Sequence, residues 1–199
     1  MVFGHTQIPL QRFPSYFPVV TGILAVQTGL FAMMTLQGGT TDPEVLIRYG
    51  AYESMLVSQG EWWRLVIPVF LHIGWMHFLF NSFALYLLGP QLEWLMGRIW
   101  FLLLYLACGT IGNLVTHWLD YSVITAGASG SIYGLFGVYL YLYWRRSIDP
   151  ETGKGLVALV GINLLISLFQ PNINLAAHLG GLLSGFLLTE PLLRLRRHS

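Results

Sequence analysis

The chain has 199 residues, 55% hydrophobic and only 10% charged, with a mean hydropathy of +0.62 and a formal net charge of +1. Soluble domains carry about 25% charged residues, so this chain cannot cover a water-facing surface, and the composition excludes an ordinary soluble globule. The net charge argues neither for nor against nucleic acid, and none is expected as a partner. The single cysteine, Cys108, lies inside an apolar run and says nothing about redox compartment.

A membrane-crossing helix needs roughly 20 apolar residues. In chain order the apolar runs predict six spans, over residues 17–36, 73–92, 98–118, 128–144, 155–170 and 176–193. The expected fold is all-α: one polytopic domain over residues 1–199, a six-helix membrane bundle. The opening "MVFGHTQIPLQRFPSYFP" lacks the short apolar core and small-residue cut site of a cleavable signal, so the first span is expected to be retained. The fourth and fifth spans are short, the fifth being bounded by Pro171, and short spans tilt or flank a thinned or water-filled region.

Alternating the loops across the membrane puts Arg12, Arg98, Arg145, Arg146, Lys154, Arg194, Arg196 and Arg197 on one side, and only Arg48 and Arg64 on the other. That asymmetry predicts cytosolic termini. A bacterial plasma membrane is the simplest location. The connection between the first two spans, residues 37–71, is long and mixed in polarity. Its "EWWRL" sets two tryptophans beside Arg64, a composition suited to the membrane–water interface and to partial cover of a site.

Polar groups inside membrane spans are costly, so they are the informative residues. Here they are His72, His77, Asn81, Asn113, Ser129, Asn163 and His178. Ser129 precedes Arg145 by the same 16 residues that separate His178 from Arg194. At about 1.5 Å per residue, both lie some 24 Å above their basic markers and share one depth near the outer surface. Gly130, Gly134 and Gly137 follow Ser129, and Gly181 and Gly185 follow His178 with Ser184 alongside. Small residues at this spacing let helix backbones approach in lipid. Tyr133, four residues after Ser129, shares its face and is placed to pack on the imidazole.

These parts amount to a nucleophile and a base. A neutral histidine activates serine by taking its proton during attack and returns it to the leaving group. His77 and Asn81, also four apart, project together as donors for a developing oxyanion, as does the free backbone N–H at the start of the fourth helix. Gly127 leaves the backbone before Ser129 unobstructed. No carboxylate falls in the outer half of the fourth or sixth span. The nearest are Asp120 in a loop and Glu190, more than three turns from His178, so a Ser129–His178 dyad is expected. Water would reach the dyad through a cavity open to the outer side. Substrate helices would unwind locally, helped by Gly, Pro or Ser near the outer end of their span.

At this point the motifs resemble the rhomboid intramembrane serine proteases, over nearly the whole chain. "HIGWMHFLFN" (72–81) is similar to that family's HxxxxHxxxN segment, "GASGSIYG" (127–134) to its GxSG motif, "AHLGGLLSG" (177–185) to its last helix, and Trp63–Arg64 to its first-loop signature. The resemblance implies Ser129 as nucleophile and His178 as base. It implies His77, Asn81 and the Ser129 N–H as oxyanion donors, Tyr133 packed on His178, and His72 in a structural or water-ordering role. It further implies transmembrane protein substrates, a lateral entrance beside the fifth span, and no metal or other cofactor. Two other classes stay open on sequence alone. A non-proteolytic rhomboid-like binder would generally lack the serine or the histidine, and both are present. A transporter or a haem or metal protein would use His72, His77, His117 and His178. His72 and His77, five apart, chelate poorly from one face, and no carboxylate or thiolate joins them.

Overall fold

The computed structural model describes residues 9–119, 124–170 and 173–197. Asp120 and Pro171 lie outside the described residues. Six long helices carry the architecture: α1 (Pro18–Leu36), α2 (Trp75–Met96), α3 (Arg98–Trp118), α4 (Ser129–Trp144), α5 (Pro150–Phe169) and α6 (Leu175–Arg197). Among the described residues, α1, α3, α5 and α6 are long and apolar enough to cross a membrane. The other two fall short for different reasons. α2 has the length but contains His77, Asn81, Gln91 and Glu93, and α4 has only 16 residues. The protein is an integral, multi-pass, all-α membrane protein.

The helix bounds depart from the apolar runs where polar residues belong to a helix. α5 starts at Pro150 rather than near residue 155. The Asp149 carboxylate accepts the Thr152 N–H at 2.9 Å and proline presets the first turn, so a charged turn with Glu151 and Lys154 precedes the apolar run. α2 continues to Met96, past the expected 92, because Glu93 is buried rather than solvated. Its two oxygens accept the N–H groups of Val19 (3.0 Å) and Val20 (2.9 Å), closing the free N-terminus of α1. α2 joins α3 through Gly97 alone, whose φ of 82° makes the left-handed corner that a side chain would resist.

α4 is the axis of the bundle. All of Gly130–Tyr139, with Tyr141 and Leu142, is buried, and the helix packs most extensively on α6, then on α3. A helix apolar all round suits such a central place. Contact with α6 is backbone to backbone: a Cβ on Gly181 would strike the Gly130 carbonyl, and one on Gly185 the Gly134 carbonyl. The repeat of that pairing one turn on makes α4 and α6 parallel in fixed register. α3 closes the other side, where a Cβ on Gly112 would lie 2.6 Å from the Ala177 carbonyl oxygen. α5 is peripheral and buries only Gly153, Leu156, Val160 and Ser167.

The long connection between α1 and α2 is a folded unit. It contains short helices at Pro43–Arg48 and Ser54–Ser58 and 3-10 turns at Trp62–Leu65 and Ile67–Phe70. Trp62 and Trp63 are exposed, whereas Arg64 turns inward, donates to the carbonyls of Ile47 (2.9 Å) and Ala51 (3.0 Å) and pairs with Glu61 at 2.6 Å. Asn113 of α3 ties down the Leu65 carbonyl at 2.8 Å.

Candidate active site

Ser129 is the first residue of α4 and is partly exposed. The loop connection positions the backbone just before it. Tyr52 and Thr125 exchange backbone hydrogen bonds of 2.9 and 3.0 Å, and the Gly127 N–H donates to the Pro68 carbonyl at 2.9 Å. The connection thus reaches the approach to Ser129. Ala128 offers no side-chain cap, so the first N–H groups of α4 are free of side-chain partners.

One turn into α4, the buried Tyr133 ring lies flat on the His178 ring, with centroids 4.1 Å apart and planes 15° from parallel. His178 sits one turn into α6, whose start is held from α3. Asn174 accepts the Ala177 N–H at 3.0 Å, an N-cap bond, and its amide donates to Thr116 Oγ1 at 2.9 Å. The structure therefore brings the imidazole against the helix face that carries Ser129 four residues earlier. No hydrogen bond joins Ser129 Oγ to His178. The His178 Nδ1 instead meets Ser167 Oγ of α5 at 3.0 Å, and among the described residues nothing hydrogen-bonds Nε2 on the other side of the ring. Serine–histidine bonds in free enzymes are often long and tighten only with substrate.

His77 packs on the same loop. A Cβ on Gly127 would lie 2.5 Å from His77 Cε1 and 2.7 Å from Nε2, so glycine there lets the ring approach the backbone two residues before Ser129. Asn81 shares the His77 face, but its amide nitrogen turns back to the His77 carbonyl at 2.8 Å. His72 is wholly buried, and its ring lies 5.4 Å from that of His77 at 73°. Among the described residues no side chain hydrogen-bonds either of its ring nitrogens, and the Phe70 backbone lies beside the ring. His117 stands apart, with Nδ1 3.4 Å from the Tyr52 hydroxyl. The polar residues that the sequence reading passed over are Ser167, Thr116 and Asn174. Spacing held a signal for the first: Ser167 follows Asn163 by one turn, on the same face of α5.

Fold and site together define a helical membrane protein with a serine at the start of α4 and a histidine stacked on Tyr133 of the same helix. The Rhomboid domain model matches residues 59–195, and the chain belongs to the rhomboid family. It is 44% identical over 185 residues to the putative rhomboid protease YdcA of Bacillus subtilis, covering 90% of each chain. It is 39% identical over 165 residues to the rhomboid protease GluP of the same organism, covering 82% of this chain and 32% of that one. RHOMBOID-like protein 5 of Arabidopsis thaliana is 34% identical over 149 residues, covering 72% of this chain and 48% of that one. The chain thus spans most of the first relative but half or less of the other two. These matches support serine-type endopeptidase activity.

Proposed function

We propose that the protein is an intramembrane endopeptidase that cleaves transmembrane proteins near the outer membrane face with a Ser129–His178 dyad. The observation that carries this reading is the Tyr133–His178 stack, which seats the imidazole over the helix that begins with Ser129. In the reaction, Ser129 Oγ attacks the scissile carbonyl while His178 Nε2 takes its proton. The Ser129 backbone N–H, His77 and, after rotation away from its helix carbonyl, Asn81 donate to the oxyanion. His178 then protonates the leaving amine, and water releases the acyl group by the reverse proton path. In this reading α2 and α4 complete six crossings, both termini face the cytosol, the membrane is a bacterial plasma membrane, and substrates approach beside α5.

The test is labelling of the detergent-solubilised protein with a serine-reactive fluorophosphonate, comparing wild type with Ser129→Ala and His178→Ala. Wild type alone should label. Equal labelling of all three would sink the dyad.

A further inference from the structure

We infer that Ser167 of α5 is a positioning residue: its hydroxyl oxygen accepts the Nδ1–H of His178 and thereby fixes the tautomer that leaves Nε2 free to act as base. The inference rests on the proposed dyad and adds a third, uncharged member to it, contributed by a different helix.

The direction of the hydrogen bonds follows from counting hydrogens. A serine hydroxyl has one hydrogen and two lone pairs. Ser167 Oγ lies 2.8 Å from the Asn163 carbonyl oxygen, 3.0 Å from His178 Nδ1 and 3.4 Å from the Tyr133 hydroxyl. The carbonyl has no hydrogen to give, and two oxygens 2.8 Å apart repel unless a hydrogen lies between them, so we assign the hydroxyl hydrogen to that contact. The oxygen then meets Nδ1 only as an acceptor, and Nδ1 carries the proton. In a neutral imidazole the other nitrogen, Nε2, is then the acceptor. The Tyr133 hydroxyl, which can donate to the remaining lone pair, ties the stacked ring to the same oxygen.

The placement fits an orienting role. Ser167 is 4% exposed and is the last buried residue of α5, while its neighbours Ile166, Leu168 and Phe169 are exposed. Beyond Val160, Ser167 is the one residue of α5 that is buried, and its partners on other helices are His178 and Tyr133. A carboxylate usually holds the histidine of such a site. Among the described residues none makes a hydrogen bond or ion pair with His178, and a buried charge there would need its own partner.

The experiment reads the tautomer directly. With only six histidines in the chain, side-chain ¹⁵N spectra of histidine-labelled protein in detergent are tractable, with His178→Ala supplying the assignment. His178 should carry its proton on Nδ1 in wild type and in the Ser129→Ala background, and should shift toward the Nε2–H form in Ser167→Ala. Fluorophosphonate labelling should slow about tenfold or more in Ser167→Ala through the maximal rate rather than the half-saturating concentration, and Ser167→Thr should restore it. An Nε2–H tautomer in wild type overturns the assignment even if Ser167→Ala fails to fold. So does a Ser167→Ala protein that keeps the wild-type tautomer and rate. Because the spectrum is read without turnover, it stands or falls separately from proteolysis.

Discussion

Replacing Gly181 by alanine tests whether backbone contact between α4 and α6 sets the site. The new Cβ would collide with the Gly130 carbonyl group and lie 2.8 Å from its carbon and 3.1 Å from the Gly130 Cα. Carbon atoms sit comfortably at about 3.5–4.0 Å, so the helices must part by about 1 Å at this level. Two effects compete. Alanine favours a helix over glycine by about 0.8–1 kcal/mol, while overpacking a tight interface costs about 1–3 kcal/mol. Packing should win, because the obstructing atoms are backbone and cannot rotate aside. Net destabilisation of up to about 2 kcal/mol is expected. The kinetic effect should be larger. His178 lies one turn from Gly181 and Ser129 is next to Gly130, and a 1 Å misplacement of reacting groups costs about 10²-fold. The assay is fluorophosphonate labelling rate together with denaturant unfolding in detergent. Gly161→Ala on α5 is the control, since nothing lies within 4 Å of its Cβ position. It should hold the labelling rate within about twofold and stability within about 1 kcal/mol. If Gly181→Ala labels as fast as Gly161→Ala and unfolds at the same denaturant concentration, close backbone approach is not what aligns the site.

Two further outcomes follow from the contacts around the site. Gly127→Ala puts a methyl against the His77 ring at a backbone φ of 156° that side chains rarely adopt; labelling should fall about tenfold or more while stability falls by about 1–3 kcal/mol. An unchanged rate with a lowered Tm would make His77 a packing residue. Glu93→Ala strands the Val19 and Val20 N–H groups at the start of α1 and should cost about 2–3 kcal/mol in denaturant unfolding, with Glu93→Gln losing about half as much; a neutral Glu93→Ala would show that water reaches the N-terminus of α1.

The membrane class, the order of helices and the level of Ser129 and His178 were legible along the chain, because each follows from spacing at fixed rise per residue. So was the small-residue seam, since glycines at every fourth position can only favour close backbones. What could not be read was which polar group meets which. Glu93 resembles an interruption of α2 until α1 brings two N–H groups to it from 73 and 74 residues away. The loop before Ser129 owes its course to Tyr52 and Pro68, on a connection whose own fold depends on Arg64 reaching two carbonyls. Ser167 and Asn174 passed unremarked because a hydroxyl or amide near a helix end is ordinary until a neighbour faces it.

The sequence by itself determined that this protein lives in a membrane, that its helices carry one hydroxyl and one imidazole at matching heights, and that glycine lets those helices touch. The spacing also placed Tyr133 to pack on that imidazole, and the stack is there; only the tertiary structure decided which group meets Nδ1, by setting the Ser167 oxygen beside it. The physical reason is that periodicity records distance along one helix axis, whereas hydrogen bonds between helices depend on the rotation and separation of neighbours.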